Sequence, residues 1–566
     1  MSLHSALALV CLASLGAGQS LRISVYAPAG TVNRYLATPV DREKAAALLR
    51  GLKITRVFVE GRRGDQYVTP EALRTVRDDL LSRGFEVAGG VATVAGKSFG
   101  VPDSSSRVFL NFQAEKTQRD VAQFFAENAA IFDEVIVDDF YCTQDRSPES
   151  EKARGARSWS DYRRDLLVSL IDSMMLKPAR AVRPSFRLII KYPQWYDRFH
   201  LFGYDPPRMS ALSDITWVGT ETRNPHTAEQ GFTESTQGYI NFRWLSAVAG
   251  GKVTGAWFDH IDCTAQQFVD QAYQSVLAGA RELTLFNLRD VEQGHPGDAL
   301  FQSKLPELFE LAEKVRGLRA HGIAYYKPAG SEGEEDLYLM DYLAMIGLPI
   351  VPAASYPASS RVAILGAHAA ADPHLIQRMR QHLSSGATLV LTPALLRFLQ
   401  KSGAELAGAT VSQHGQPGVA AEAEIGGRKA VLSRPLEIDQ SLKAPENAVR
   451  LTVVSEGRRI PLLTSRKAGR GRVLVWNVRG LSNRDGHEGW VDAPREMGLP
   501  DIPQALADEL RRELMAPLGV QLEAPTHVGF YILGNAHVLY NFRDEPVEVR
   551  LNRELIRVGP NRLLWR

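Results

Sequence analysis

Asp138 and Asp139 close one apolar run, Glu134 to Cys142 (EVIVDDFYC), and Glu221 closes another, Asp214 to Arg223 (DITWVGTETR). Acids at the ends of buried strands suit hydrolysis of a glycosidic bond. That reaction needs one protonated carboxyl to help the leaving group depart and a second carboxylate to act as nucleophile or water base. Neighbouring residues of a strand point to opposite faces, so only one of Asp138 and Asp139 is expected to face inward. Arg223 falls two residues beyond Glu221, on the expected same side, where it would hold a carboxylate ionised or meet an acidic substrate group. The plain alternatives are a structural Glu221–Arg223 pair and helix capping by either aspartate. A third run, GAWFDHID at 255–262, brings Trp257, Asp259 and His260, and Asp259 rivals Glu221 for the second carboxyl role.

Sugar rings present C–H faces and hydroxyls together, so their pockets combine aromatic platforms with polar groups. Tyr26, Glu60, Tyr141, Lys191, Tyr192, Trp195, Asn287 and Arg289 lie at or just past predicted strand ends. With Arg223, Trp257 and His260 they form the expected substrate-binding set. His260 and the acids could also build an oxygen-rich metal site, but there is no HExxH or paired ligand spacing, so no metal ligand is assigned. Two-carboxyl hydrolysis requires no cofactor. A serine-hydrolase elbow is not expected, and no GxGxxG or GxxxxGK[ST] fingerprint points to a nucleotide.

These residues need strands to carry them. Apolar runs predict strands near 21–28, 55–60, 85–94, 134–139, 186–193, 214–221, 253–259 and 282–288, alternating with segments of helical spacing such as 42–52, 70–82, 117–131, 160–176, 264–277 and 301–318. Eight strand-then-helix units predict a (β/α)8 barrel, whose chemistry gathers at the C-terminal strand ends. Val108 to Phe112 is an extra apolar run, either a ninth strand or a loop hairpin. A second α/β unit begins near Ile323, with strands at 361–365 and 388–391, a helix at 373–383, a β-rich stretch at 405–480 and a return strand at 472–478. A helix at 504–515 then leads into antiparallel strands at 525–566. The expected domains are a barrel at 21–320, an α/β domain at 321–500, and a helical connection with a small β domain at 501–566.

With 566 residues the chain is too long for one core. Its 66 basic and 64 acidic residues give a formal charge of +2, so no overall field favours nucleic acid or a membrane surface. Residues 1–20 contain no Asp, Glu, Lys or Arg, and Ala6 to Leu15 form an apolar run followed by Gly16, Ala17 and Gly18. This pattern predicts a signal peptide and a secreted or periplasmic protein. The run is shorter than the roughly 20 residues that span a bilayer. Beyond Cys11 only Cys142 and Cys263 remain, and two unpaired thiols are expected.

The order of parts resembles glycoside hydrolases with a catalytic barrel, an amidotransferase-like α/β domain without its nucleophile, and a small β domain, as in family 42 β-galactosidases. EVIVDDFYC, WVGTETR, GAWFDHID and the segment RVAILGAHAAADPHLIQRMRQHLSSGATLVLTP (361–393) carry the resemblance, and residues 321–566 contain no cysteine. That family places Asn-Glu after strand four and Glu after strand seven, where this chain has Asp138-Asp139 and Asp259. An Asp after strand four with an acid after strand six resembles the α-galactosidase clan instead. Together these observations lead to the expectation of a secreted, retaining glycosidase with Asp139 or Asp138 as nucleophile and Glu221 as acid and base. A carbohydrate-binding barrel without catalysis and a metal-dependent hydrolase are the competing expectations. The expected partners are a carbohydrate and, through the second domain, another copy of the chain.

Overall fold

The computed structural model describes residues 21–483, 491 and 493–566; the expected leader, with Cys11, lies outside the described residues. Each of the eight predicted barrel runs is a strand, because a short, continuously apolar stretch is best hidden where both faces are covered. They are β1 (Arg22–Ala27), β2 (Arg56–Arg63), β3 (Glu86–Ala92), β4 (Glu134–Val137), β5 (Arg187–Tyr192), β6 (Ile215–Gly219), β7 (Val253–Asp259) and β8 (Glu282–Phe286). Each pairs in parallel with its neighbour in the chain, and β8 pairs with β1 to close the barrel.

Large rings fill the barrel axis. Tyr26 packs 4.6 Å from Trp257, and Trp217 stands edge-on to Phe58 at 5.9 Å between ring centroids. The Trp217 indole donates to Thr284 Oγ1 at 2.8 Å, so the one polar atom of that ring is satisfied. These rings leave no room for side chains opposite them. A Cβ at Gly255 would fall 2.0 Å from the Trp217 ring, and one at Gly90 would fall 2.7 Å from the Tyr26 ring. Below them Arg56 plugs the barrel, paired with Glu134 and, at 3.4 Å, with Glu282.

The helices start where the chain supplies caps. Thr69 accepts from the Ala72 amide ahead of Pro70–Ser82, and Thr264 with Gln267 forms a capping box for Ala265–Leu277. Helix Trp159–Leu170 runs on through a wider π turn at Ile171–Leu176. Val108 to Phe112 is a loop, tied by an isolated bridge between Pro102 and Leu110, and it carries Phe109 towards the barrel mouth. Helix Gln237–Ala249 gives no amphipathic signal because it is buried nearly all round, from Gln237 to Phe242 without a break.

Beyond the barrel, parallel strands stand in the order Ile350–Ala353, Ile323–Tyr326, Val362–Leu365, Thr388–Leu391, Gly471–Trp476. The last is the predicted return strand. Four antiparallel strands between Pro417 and Ala468 extend the same sheet. The C-terminal strands form small antiparallel sheets, and Val528–Leu533 also pairs with Ala320–His321, the segment that leaves the barrel. Tyr531 and Tyr540 reach back to Gln274 and Asp270 of the barrel at 2.7 and 2.5 Å. Among the described residues no helix is long and apolar enough to cross a membrane.

The packing around Trp217 makes a direct prediction. Gly255→Ala should lower stability by about 1–3 kcal/mol, the usual cost of overpacking. Gly251→Ala, with nothing within 4 Å of its new methyl, should stay within about 0.5 kcal/mol of wild type in the same urea titration.

Candidate active site

Lys191, near the end of β5, is 2% exposed, and an ammonium that far from water needs charge partners. It has three. Its Nζ donates to Asp139 Oδ2 at 2.5 Å and to Glu221 Oε1 at 2.8 Å, and lies 3.7 Å from Asp138 Oδ1. The face of Trp257 lies beneath it, 4.9 Å from Nζ to the ring centroid. The two hydrogen bonds laid end to end place the Asp139 and Glu221 oxygens no more than about 5.3 Å apart.

Both aspartates of the pair reach this cavity, which corrects the expectation that only one would. Ladder pairing ends at β4's last residue, Val137; the Asp138 amide still bonds Val91 O at 2.9 Å, but the Asp139 amide turns back to Asp138 Oδ1 at 2.8 Å. Strand alternation no longer applies past that point. Asp138 accepts from Arg63 at 2.6 Å, and the same guanidinium reaches Glu60 at 2.8 Å. Arg223 forks onto Asp259 at 3.2 and 2.7 Å, so the carboxylate it meets is Asp259, where the plain alternative had it paired with Glu221. Arg223 holds φ at 51°, a left-handed conformation that costs a non-glycine residue about 1–3 kcal/mol.

The electrostatics separate the carboxyl groups. Burial pushes Glu221 up to about 8, against the pull of Lys191 and with the repulsion of Asp139. Asp139 is raised less, to about 6, by burial, with Lys191 opposing and Asp138 adding to the shift. Burial works against the charge of Asp138 as well, yet Arg63 and Lys191 overcome it and hold its carboxyl below the ordinary range. Lys191 is likewise disfavoured by burial but raised by Asp139, Glu221 and Asp138. Near neutral pH this leaves Glu221 largely protonated beside an ionised Asp139.

The cavity measures about 270 Å³. Its charged walls are Arg63, Asp138, Asp139, Lys191, Glu221, Arg223 and Asp259, and its remaining lining is Gln194, Trp195, Trp257, Ile261, Phe109, Phe140 and Phe286. A larger groove of about 1000 Å³, between residues 424 and 461 with Glu509, has no aromatic lining and lies apart from these carboxylates.

Several expected pocket residues are elsewhere. Tyr26 and Glu60 lie under the cavity, where the Tyr26 hydroxyl donates to Glu60 at 2.6 Å and Glu60 also accepts from the Ala29 amide and Arg63. Tyr192 follows Lys191 and so points to the opposite face of β5, sharing a 3.2 Å hydrogen bond with Ser210. Tyr141 faces the helices and donates to Leu167 O at 2.6 Å. His260 pairs with Asp298 at 2.8 Å and stacks on Phe268. Asn287 caps helix Leu288–Gln293, and Arg289 pairs with Asp290 at the surface.

Arg63, Gln194, Ile261, Phe109, Phe140 and Phe286 were not foreseen. A shift in the β2–β3 register between Glu60 and Arg62 breaks the alternation that would have placed Arg63. The segment GKSFG (96–100) has the spacing of a serine-hydrolase elbow, but it is a tight turn with no helix after it, and Ser98 Oγ is exposed and bonded to Arg62. Cys142 and Cys263 are both free thiols. Among the described residues no three His, Cys, Asp or Glu side chains are grouped to hold a metal ion.

Residues 13–321, more than half of the chain, match the family described as probable glycosyl hydrolase, catalytic domain. Residues 317–415 match the second domain of the uncharacterized protein SSO3021. That protein, from Saccharolobus solfataricus, is 23% identical over 373 residues, 59% of this chain and 60% of its own length, so the match spans less than two thirds of the relative. Gan42B, a GH42 β-galactosidase from G. stearothermophilus, superposes with a TM-score of 0.64 at 12% identity over 97% of this chain and 98% of its own. The β-galactosidase of Bacillus circulans sp. alkalophilus gives 0.63 at 11% identity over 96% and 98%. The α-L-fucosidase isoenzyme 2 of Paenibacillus thiaminolyticus gives 0.62 at 11% identity over 94% and 93%. At these identities the likeness shows the fold: a parallel eight-stranded barrel followed by a mixed α/β sheet and small antiparallel sheets.

The raised Glu221 has a consequence for stability. Its folded pKa near 8 exceeds the unfolded value, so the folded state binds the extra proton between the two and stability falls as pH rises through that window. Glu221→Gln, which mimics the protonated group, should therefore be more stable than wild type at pH 9 by more than about 1.4 kcal/mol, the free energy of one pKa unit. The difference should shrink at pH 5 in urea titrations.

Proposed function

The chain belongs to the family of probable glycosyl hydrolase catalytic domains, and on that footing we propose that it hydrolyses a glycosidic bond with retention, Asp139 as nucleophile and Glu221 as acid and base. The observation that carries this reading is the single ammonium of Lys191 shared by the two groups. It caps the distance between one oxygen of each at about 5.3 Å, an upper limit compatible with the roughly 5–5.5 Å of retaining enzymes and short of the roughly 6.5–9.5 Å of inverting ones.

In the first step Glu221 gives its proton to the glycosidic oxygen as the bond from that oxygen to the anomeric carbon breaks. Asp139 bonds to the same carbon. In the second step the Glu221 carboxylate takes a proton from water, the water oxygen attacks the anomeric carbon, and the bond to Asp139 breaks. Lys191 favours the ionised nucleophile, and Asp138, kept charged by Arg63, adds negative potential for the oxocarbenium-like transition state. Asp259, oriented by Arg223, would bind sugar hydroxyls, with Trp195 as the apolar platform. The uncharged, apolar residues 1–20 support export, so the active protein should be recovered outside the cytoplasm without them.

A panel of α- and β-aryl glycosides tests the proposal. The kcat/KM profile should be bell-shaped, falling below about pH 6 as Asp139 protonates and above about pH 8 as Glu221 ionises; both limbs belong to the interacting pair. Glu221→Gln should lose about 10²–10⁴-fold on unactivated glycosides, lose far less on aryl glycosides with good leaving groups, and lack the alkaline limb. Asp139→Asn should turn over neither. Sugar binding with no turnover of any substrate by the wild type would favour a binding barrel instead.

A further inference from the structure

We propose that Lys327 and His368 of the second α/β unit are positioning residues for the barrel's sugar pocket, acting through Asp197. The proposal rests on the glycosidase reading of that pocket. In the second unit the parallel strands have the chain order 2-1-3-4-5, with a topological switch between Ile323–Tyr326 and Val362–Leu365. Open sheets of this kind bind their ligands at the carboxyl ends of the strands flanking the switch. Here those ends present Lys327 and, just past the second strand, Gly366 and His368. The approach is close, since a Cβ on Gly366 would lie 2.4 Å from the Tyr325 hydroxyl.

The barrel fills this crevice. Asp197, on the loop after β5, accepts from His368 Nε2 at 2.8 Å, lies 3.2 Å from Lys327 Nζ, and accepts from the Tyr338 amide at 2.7 Å. All three charged or titratable side chains are 1% exposed. Barrel helix Gln237–Ala249 closes over the group, with Trp244 donating to Lys327 O at 3.0 Å and its ring 4.8 Å from Lys327 Nζ. Burying ions is no general gain in stability, since apolar replacements of similar shape often do as well. What a buried pair can supply is one fixed register.

That register matters because the loop has two functions. Gln194 and Trp195 line the sugar cavity, while Asp197, two residues further on, engages the second unit. The turn between them is tight, with the Arg198 amide bonded to Trp195 O at 2.9 Å. Any shift of Asp197 therefore moves Trp195. The carboxylates Asp139 and Glu221 are on other strands and would stay in place.

The test uses the full chain. Lys327→Met and His368→Gln should each raise KM for an aryl glycoside by about tenfold or more, as small displacements of positioning groups do, with kcat within about threefold of wild type. Backbone amides of residues 193–204 should exchange faster with solvent while those of β5 stay protected. Asp197→Asn combined with Lys327→Met leaves no buried charge unpaired but also removes the pair that fixes the register, so KM should stay raised; a return to wild-type KM would overturn the inference. If a folded Lys327→Met or His368→Gln protein keeps wild-type KM and exchange, or loses kcat with KM unchanged, the inference is overturned. If the wild type hydrolyses no glycoside, the glycosidase reading fails, and the exchange measurement alone decides whether Lys327 fixes the loop. His368→Gln serves if Lys327→Met does not fold.

Discussion

One ammonium, that of Lys191, sets the terms for the whole barrel mouth. A buried cation is tolerable only where carboxylates surround it, and the ends of β4 and β6, on either side of β5, meet that demand with Asp138, Asp139 and Glu221. Three acids around one base would leave excess negative charge, so Arg63 comes from β2 to Asp138, and Arg223 separately holds the neighbouring Asp259. What remains is an unequal pair, Asp139 and Glu221, that differ in how far burial raises them. The inequality gives one group the proton and the other the charge.

Much of this was legible from the chain. Short apolar runs located all eight barrel strands, and the acids at their ends, with Lys191, Trp195, Arg223 and Trp257, do meet in one cavity. The failures have local physical causes. Tyr192 is one residue from Lys191 and for that reason faces the other way. The end of the ladder at Val137 freed both aspartates from alternation, and the irregularity after Glu60 hid Arg63. Helix Gln237–Ala249 was missed because burial on nearly all sides erases helical periodicity.

Contacts between distant segments were beyond any window of sequence. Asp197 meets Lys327 and His368 only because the second unit turns its strand ends towards the barrel. The second α/β unit contains no cysteine, and its switch-point crevice holds a barrel carboxylate where such sheets usually hold a ligand. The C-terminal sheet fastens the same assembly from another side, by pairing with Ala320–His321 and reaching Asp270 and Gln274. A pocket whose loop is anchored outside the barrel can keep its apolar wall fixed while the strand ends hold the reacting groups.

In the proposed reaction Asp139 forms a covalent bond to the sugar. Incubation with a 2-deoxy-2-fluoro glycosyl fluoride of the preferred sugar, followed by proteolysis and mass spectrometry, tests it most directly, because the fluorine slows breakdown of the glycosyl–enzyme. One sugar attached at Asp139, localised within its peptide by fragmentation, is the expected result. Attachment at Asp138 or Asp259, or full turnover with inversion and no labelled peptide, would overturn the assignment.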